Sequence, residues 1–193
     1  RVKAGLVIAA DGAQSFIREA AHIDAKQKPY GHSAIVATVE VSAQHHATAY
    51  QRFSHNGPLA FLPLPSINDK HYCAIVWSLN NDQAHKVHAL DDKAFSLELE
   101  RAIEGYLGCV NQVYHRAIIP LTQRHANAYF KDGVVLVGDA AHTLHPLAGQ
   151  GVNLAFADVA ALVDELIRAE HRGLSVSHPS ILKRYQRRRK LHN

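Results

Sequence analysis

The chain has 193 residues and a formal net charge of +4, begins with Arg1 and contains no methionine, so we expect it to be incomplete. Its 47% of hydrophobic and 20% of charged residues are typical of a globular protein and exclude disordered, collagen-like and coiled-coil chains. No apolar run reaches the roughly 20 residues of a membrane span, and two cysteines are too few for a disulfide framework, so we expect a soluble, cytoplasmic protein with free thiols.

The first part of the sequence has the pattern of strands separated by turns. Leu6–Ala10 predicts a buried strand that runs into a tight turn at Asp11-Gly12, and Ser15–Ala21 predicts a short helix. Four segments rich in β-branched and aromatic residues follow at short intervals, over residues 34–41, 47–53, 59–64 and 72–79. Because Gly, Pro and Asn turn residues separate them, they predict an antiparallel sheet.

The second half predicts further helices and a second type of sheet. Apolar residues spaced three and four apart predict an amphipathic helix over residues 91–108, and a strand follows over 112–119. The short apolar run Val134–Gly138 is typical of a parallel strand that is buried on both faces. Two sheet types in one chain predict two subdomains.

Two helices are predicted at the end of the chain. The first covers Gln150–His171 and has one apolar side, formed by Val152, Phe156, Val159, Val163, Leu166 and Ile167. The second opens at Pro179 and contains the run Lys183–Lys190, whose six positive charges exceed the whole net charge. We interpret this run as a solvated face that the helix dipole favours, with a phosphate-rich partner or an anionic membrane surface as the alternatives.

The segment from Val134 to Leu162 carries the clearest chemical signal, because a strand, a turn, a glycine-bearing loop and a helix follow one another. Gly138 permits a sharp turn after the strand, and Asp139 presents a carboxylate where α/β proteins bind ligands, which suits a pair of ribose hydroxyls. Gly149 and Gly151 leave the backbone N–H groups at the start of the helix open to a ligand. These groups predict a site for a phosphate or an anionic ring.

Simpler interpretations exist for parts of this segment. Glycines after a strand can merely permit a tight connection, but Asp139, Pro146 and Asn153 in the same segment favour a ligand site. His142 and His145 have a spacing that some metal sites use, yet no cluster of Asp, Glu or Cys accompanies them. We therefore predict no metal.

Two motifs resemble those of a known family. GDAAHTLHPLAGQGVN resembles the second flavin-contacting motif of the class A, single-component FAD-dependent aromatic monooxygenases, and IAADGAQSFIR resembles their DG motif. YGHSAIVATVEV, GPLAFLPL and HYCAIVWSL are similar to the substrate-domain sheet of the ubiquinone-biosynthesis hydroxylases in that family, and most of all to that of the 2-polyprenylphenol hydroxylases. The resemblance covers nearly the whole chain.

The resemblance implies a mixed α/β (α+β) fold of two domains. Residues 1–28 and 121–193 would form a partial, Rossmann-like FAD-binding domain, and residues 29–120 an antiparallel-sheet substrate domain with one helix. The family also begins with a GxGxxG segment that holds the ADP part of FAD, and no such segment occurs in this chain. We therefore expect an internal fragment that is inactive by itself.

The resemblance also implies a role for each matching residue. Asp139 would bind the ribitol or ribose side of FAD, and Pro146 would lie beside the isoalloxazine ring. The ring's pyrimidine edge would be surrounded by Gly149, Gln150, Gly151, Val152 and Asn153. The FAD and NAD(P)H pyrophosphates would approach Asp11, Gly12, Ser15 and Arg18. A surface ion pair is the alternative for Arg18, and no side chain is an obvious catalytic acid or base.

The implied activity is hydroxylation of a polyprenylphenol in ubiquinone biosynthesis. NAD(P)H would reduce FAD, O2 would form a C4a-hydroperoxyflavin, and its distal oxygen would pass to the phenol ring. The LAFLPL strand and the Val76-Trp77 region would form an apolar wall for the substrate, with core packing as the alternative role. A membrane-dissolved substrate implies peripheral association with the inner membrane and contact with other ubiquinone-biosynthesis proteins.

Two other functional hypotheses remain open. The chain could be a non-catalytic substrate or interaction module that does not hold flavin by itself. It could also belong to a hydroxylase of another ring position or another aromatic substrate. A nucleic-acid partner is not expected, since no aromatic residues are interleaved with the basic run in a binding surface.

Overall fold

A computed structural model of the protein describes residues 3–144 and 150–190. The chain divides into two compact units: unit 1 consists of Arg1–Lys28 and Thr122–Asn193, and unit 2 of Pro29–Leu121. The predicted fold class, mixed α/β with an antiparallel sheet, is confirmed. The roles of the two units, cofactor binding and substrate binding, stay predictions.

In chain order the elements are β1 (Val7–Ala9), α1 (Phe16–Ala20), β2 (Ala25–Val41), β3 (Tyr50–Ser54), β4 (Gly57–Ile67), β5 (Lys70–Asn80), α2 (Asn81–His88), α3 (Asp92–Ala102), β6 (Val110–Ala126), β7 (Phe130–Lys131), β8 (Val134–Leu136), β9 (His142–Thr143), α4 (Gln150–His171) and α5 (Pro179–Lys190).

Unit 2 is an antiparallel sheet with α2 and α3 packed on one face. The strand order is β3-β4-β5-β2-β6, and Trp77 of β5 lies opposite Ile35 of β2 and Leu59 of β4. Because side chains alternate between the faces of a strand, every second residue points into one apolar core with Phe95 and Leu99 of α3. This core confirms the predicted sheet.

The opposite face of this sheet carries a different set of side chains. The register places Val36, Val76 and Ala60 in one cross-strand row and Thr38, Ala74 and Leu62 in the next. These side chains are exposed or half-buried. We call the six residues the open face.

Two helix predictions in unit 2 need correction. The sequence predicts one helix in this region, but Asn80 caps a second one, α2, by accepting a hydrogen bond from the Gln83 backbone N–H at 2.9 Å. The helix predicted to reach residue 108 ends at Ala102, because the backbone turns into positive φ directly afterwards, at Glu104 and Gly105.

Unit 1 contains a three-stranded sheet of order β1-β8-β7. β1 and β8 run parallel, with Val7 opposite Val134, and Val135 and Leu136 are fully buried, as the apolar run predicts. The prediction of a buried first strand was wrong for Val7 and Ile8, which are exposed. β1 pairs only with β8 among the described strands, so it lies at the edge of this sheet.

Helix α4 matches its predicted bounds but presents the unexpected side to the protein. Val152, Phe156, Val159, Val163 and Ile167 form an exposed apolar strip. The buried side carries small residues and two carboxylates, and consists of Asp158, Ala161, Leu162, Glu165 and Ala169. Hydrophobic periodicity identifies the wrong side here because the carboxylates are buried with basic partners on α5.

Helix α5 also corrects a prediction. The run Lys183–Lys190 is only in part a solvated face, since Tyr185 and Arg189 are buried. Arg184 and Arg188 pair with Glu165 of α4 at 3.1 Å each. Three of the six charges, those of Arg184, Arg188 and Arg189, therefore join the two C-terminal helices.

Three smaller findings complete the fold. Cys73 is buried and Cys109 is exposed, and both are free thiols, as predicted. Among residues 3–144 and 150–190, no helix combines the length and the apolar character that crossing a bilayer requires. In the same part of the chain, no three His, Cys, Asp or Glu side chains are placed to hold a metal ion.

Candidate functional site

The candidate site is a groove of about 430 Å³ in unit 1, lined by the turns that follow β1 and β8 and by the start of α4. The two strands are parallel neighbours, so their carboxyl ends meet at one edge of the sheet. Four of the predicted site residues line the groove: Gly12, Asp139, Gly151 and Val152. Residues from two motifs far apart in the sequence are thus brought together.

The turn after β1 is shaped by Asp11 and Ser15. Ser15 donates to Asp11 Oδ1 at 2.5 Å, and the Ile17 backbone N–H donates to Oδ2 at 3.0 Å. Although burial acts to raise it, these hydrogen bonds hold the pKa of Asp11 below its ordinary value. The fully buried Ser15 also accepts from the backbone N–H of Arg18 at 2.9 Å and so caps α1. Both side chains therefore fix the backbone beside Gly12.

Arg18 is buried rather than at the surface. Its guanidinium donates to the backbone carbonyl of Ala140 and to that of Ala13, each at 3.1 Å. Arg124 of β6 donates to the same Ala13 carbonyl. Arg18 thus ties the turn after β1 to the turn after β8, and its direct contact with a pyrophosphate stays a prediction.

The turn after β8 is a single 3₁₀ turn over Gly138–Ala140, with the Asp139 carboxylate exposed at the groove. Gly138 adopts a φ of +58°, and a Cβ at this position would lie 3.0 Å from the Ala155 Cβ of α4. Only glycine satisfies both the backbone angle and this close approach without strain. The turn that presents Asp139 is therefore packed directly on α4.

Asp158 of α4 is fully buried below this turn and accepts three hydrogen bonds. The Gly138 backbone N–H donates to Oδ2 at 2.8 Å, the His142 ring Nε2 donates to Oδ2 at 2.7 Å, and Arg189 Nε donates to Oδ1 at 2.5 Å. Burial alone would raise the pKa of Asp158, but the bonds from His142 and Arg189 hold it below its ordinary value. The carboxylate is therefore ionised at neutral pH.

The start of α4 forms the remaining wall of the groove. Gly151 and Val152 line it, and the apolar strip continues the wall with Phe156 and Val159. Asn153 is exposed and is not among the groove-lining residues. Pro146 and Gly149 lie outside the described residues, as does the side chain of Gln150.

The groove has features that the parts of FAD assigned to it by the resemblance would require. Apart from chain neighbours and the backbone of α4 itself, a Cβ built on Gly12 or Gly151 would meet no atom of the described residues within 4 Å, so a ligand can approach both backbones closely. The N–H groups of the first turn of α4 have no partner within the helix, and Asp139 adds an acceptor for hydroxyl groups. Val152, Phe156 and Val159 provide an apolar surface for a flat ring.

The roles of three residues behind the groove were not predicted from the sequence: His142, Asp158 and Arg189. Asp158 and Arg189 stand in an apolar stretch and in a basic run, where they read as exposed charges. Their pairing joins positions 31 residues apart, and no local pattern reveals it. The available signal was a lone acidic residue on the helix after the glycine motif, together with a basic helix able to neutralise it.

A family model described as FAD binding domain matches residues 1–193 of the chain. Ubiquinone hydroxylase UbiL of Rhodospirillum rubrum is 40% identical over 192 residues, which cover 100% of this chain and 44% of that protein. The 3-demethoxyubiquinol 3-hydroxylase of Escherichia coli is 38% identical over 192 residues, covering 100% of this chain and 48% of that protein. The chain thus spans about half the length of these curated relatives.

A solved structure shares the fold. PqsL of Pseudomonas aeruginosa in complex with 2-aminobenzoylacetate is 27% identical, with a TM-score of 0.78 over 98% of this chain and 52% of that one. Another solved structure of PqsL describes PqsL as a probable FAD-dependent monooxygenase.

Proposed function

We propose that this chain, which belongs to the FAD binding domain family, is part of an FAD-dependent monooxygenase that hydroxylates the ring of a polyprenylphenol in ubiquinone biosynthesis. The membership confirms the predicted flavoprotein family. The observation that carries the proposal is the groove of unit 1, where residues of both flavin motifs line one surface. The two ubiquinone-pathway relatives support the reaction class and the pathway.

In this proposal unit 1 holds FAD and unit 2 contacts the substrate. FAD would supply the redox chemistry, taking a hydride from NAD(P)H and activating O2 for transfer of one oxygen atom. Asp139 accepts hydrogen bonds from hydroxyl groups of the cofactor. The N–H groups at the start of α4, including those of Gly151 and Val152, stabilise negative charge on it. Asp11, Ser15 and Arg18 hold the turn that carries Gly12.

The open face of the sheet in unit 2 is the proposed substrate surface. Its rows of Val, Ala, Thr and Leu are mostly apolar, which suits a prenylated ring. Val76 lies on this face, whereas Trp77 points into the core, where its ring lies 6.5 Å from that of Phe95. Of the region predicted as an apolar wall, Trp77 thus takes the alternative role of core packing.

A polar cluster closes one end of the open face. Glu40 lies one row beyond Thr38 and accepts a hydrogen bond from Lys70 Nζ at 2.9 Å. The hydrogen bond from Lys70 holds the pKa of Glu40 below its ordinary value. Tyr72 stands in the same row as Glu40, and its ring lies 6.0 Å from that of Tyr114. We propose that this cluster limits the surface available to the apolar substrate.

The reaction is tested with the protein in its natural full length, loaded with FAD. Expected are the absorption of a bound flavin, oxidation of NAD(P)H that a polyprenylphenol stimulates, and incorporation of one atom of ¹⁸O2 into the product. A flavin-loaded protein that leaves polyprenylphenols unchanged would overturn the proposed substrate. Titration of the 193-residue chain alone with FAD addresses the module hypothesis, which micromolar binding would exclude.

Gly151→Ala tests the groove itself. Apart from its chain neighbours and the backbone of α4, the new methyl group meets no atom of the described residues within 4 Å, but it enters the space assigned to the cofactor. Alanine favours a helix over glycine by about 1 kcal/mol, so the variant should be as stable as the parent or more so, while the FAD dissociation constant rises at least about tenfold. Glu170→Ala, at an exposed position of the same helix, is the control and should leave FAD affinity unchanged. If Gly151→Ala and Glu170→Ala bind FAD equally well, Gly151 does not belong to the site.

A further inference from the structure

A single carboxylate oxygen of Asp158 anchors both ends of the segment that presents Asp139. Oδ2 accepts from the Gly138 backbone N–H at 2.8 Å and from His142 Nε2 at 2.7 Å, and Asp139 lies between these two positions in the chain. Neither His142 nor Asp158 lines the groove, and their exposed fractions are 2% and 0%. The two side chains therefore act on the groove only through the backbone they hold.

The other contacts of Asp158 and His142 are fixed as well. Arg189 donates to the second oxygen of Asp158 at 2.5 Å, so the carboxylate cannot rotate without losing an ion pair. The His142 ring packs against that of Tyr129 in a tilted arrangement, with centroids 5.9 Å apart and planes at 32°. Tyr129 is itself fully buried and packs against Tyr185 of α5 at 6.3 Å. Each member of the pair thus has one orientation.

The same helix that supplies Asp158 also supplies the opposite wall of the groove. Gly151 and Val152 lie about two turns before Asp158 on α4, and Ala155 touches Gly138. The Asp158 bonds therefore fix the distance between the Asp139 turn and the N–H groups at the start of α4. A shift of about 1 Å between such binding groups is enough to weaken the binding of a ligand that must reach both.

We propose that His142 and Asp158 are positioning residues for the flavin cofactor, because they hold the Asp139 turn in register with the start of α4. This inference rests on the proposed function, in which Asp139 and the start of α4 bind FAD. His142 completes the arrangement from outside the groove. Of the two hydrogen bonds that join this segment to Asp158, only the one from Gly138 would remain if the His142 donor were removed.

The test compares His142→Leu with His142→Gln in the FAD-loaded, full-length protein. Glutamine can place its Nε2 donor where the imidazole Nε2 lies, whereas leucine has no donor. We expect the FAD dissociation constant to rise about tenfold in His142→Leu and to stay within about twofold of the parent in His142→Gln. The absorption and circular dichroism of the bound flavin should change in His142→Leu only.

Glu165→Gln is the matched control, because Glu165 is a second fully buried carboxylate on the same side of α4. It pairs with Arg168, Arg184 and Arg188 but makes no bond to the Gly138–His142 segment. We expect this variant to lower the melting temperature and leave FAD affinity unchanged. If FAD affinity instead follows the melting temperature across all three variants, the role of His142 is only structural.

A double-mutant cycle with Asp139→Asn tests whether His142 acts through Asp139. In the proposed arrangement the effects of His142→Leu and Asp139→Asn on FAD affinity overlap, so the double variant is weaker by less than the product of the two fold-changes. If the fold-change in FAD affinity of the double variant equals the product of the two single fold-changes, the inference is overturned. Failure of the parent protein to bind FAD would instead overturn the proposed function, so the two failures are distinguishable.

Discussion

Both units have an apolar core, and unit 1 adds two fully buried carboxylates that pair with arginines. In unit 2, Phe95, Leu99 and their neighbours on the sheet form an apolar core. Such a core tolerates the exchange of apolar side chains of similar volume. In unit 1, Asp158 and Glu165 are fully buried and each depends on particular basic partners. A buried ion pair adds little net stability but fixes the relative positions of its partners. Unit 1, whose residues line the candidate groove, therefore has the interior in which side-chain positions are more strictly fixed.

Truncation of the apolar core should give the largest effect. Phe95 is fully buried between the Trp77 ring at 6.5 Å and the Arg116 guanidinium at 4.5 Å. We expect Phe95→Ala to lower the free energy of unfolding by about 3–5 kcal/mol, since it removes a large side chain and leaves a cavity. Urea unfolding followed by the fluorescence of Trp77, the single tryptophan, measures this.

Phe53→Ala provides the control for this truncation. Phe53 lies on β3 and is 69% exposed, so its loss should change the free energy of unfolding by no more than about 0.5 kcal/mol. Similar losses for the two phenylalanines would contradict the division between core and surface in unit 2.

Acid should act on unit 1 through Asp158. Its pKa in the folded protein is lowered, so its contribution to stability is complete above the unfolded pKa of about 3.9 and disappears as the pH falls through the lower folded value. We therefore expect this contribution to be lost below about pH 4. We expect this loss of stability to be smaller than that of the core truncation.

The measurement compares the parent with Asp158→Asn by denaturant unfolding at pH 7, 4 and 3. The asparagine variant should be less stable at pH 7 and should lose less stability between pH 4 and pH 3. Parallel pH profiles for the two proteins would falsify the assignment of this acid sensitivity to Asp158.

Charge at the surface of unit 2 should matter least. Asp91 caps α3 by accepting from the Ala94 backbone N–H at 2.8 Å and is exposed. Asp91→Ala should cost about 1 kcal/mol of stability, the typical value of a helix cap, in the same urea assay. Lys93→Ala, an exposed change in the same turn, should cost less, and an equal cost would argue against a capping role.

The contrast between the units also explains what the sequence could and could not predict. The strands β4 and β5 follow from alternation, and α4 follows from its glycine start and apolar content, because these signals are local. The side of α4 that is buried could not be read, since Asp158 and Glu165 look exposed until Arg184 and Arg189 are known to lie against them. Ion pairs between residues that are far apart in the sequence leave no periodic pattern in it.

The candidate site divides in the same way. Glycine and the exposed carboxylate signal a ligand by residue type, so Gly12, Asp139 and Gly151 could be identified, and the structure places them on one groove. Arg18 and His142 belong to the same motifs, but their side chains are buried and bonded inside the protein. A motif thus identifies the segment, and only the packing shows which of its side chains can reach a ligand.

The two thiols of unit 2 offer a chemical handle of a different kind. Burial shields Cys73 from reagents and raises its pKa to about 11, while Cys109 stands exposed just after the glycine that ends the loop following α3. A maleimide dye at neutral pH will therefore attach at one position without any cysteine having to be removed first. The 193-residue chain as it stands thus permits site-specific fluorescence labelling of unit 2, with unit 1 left untouched.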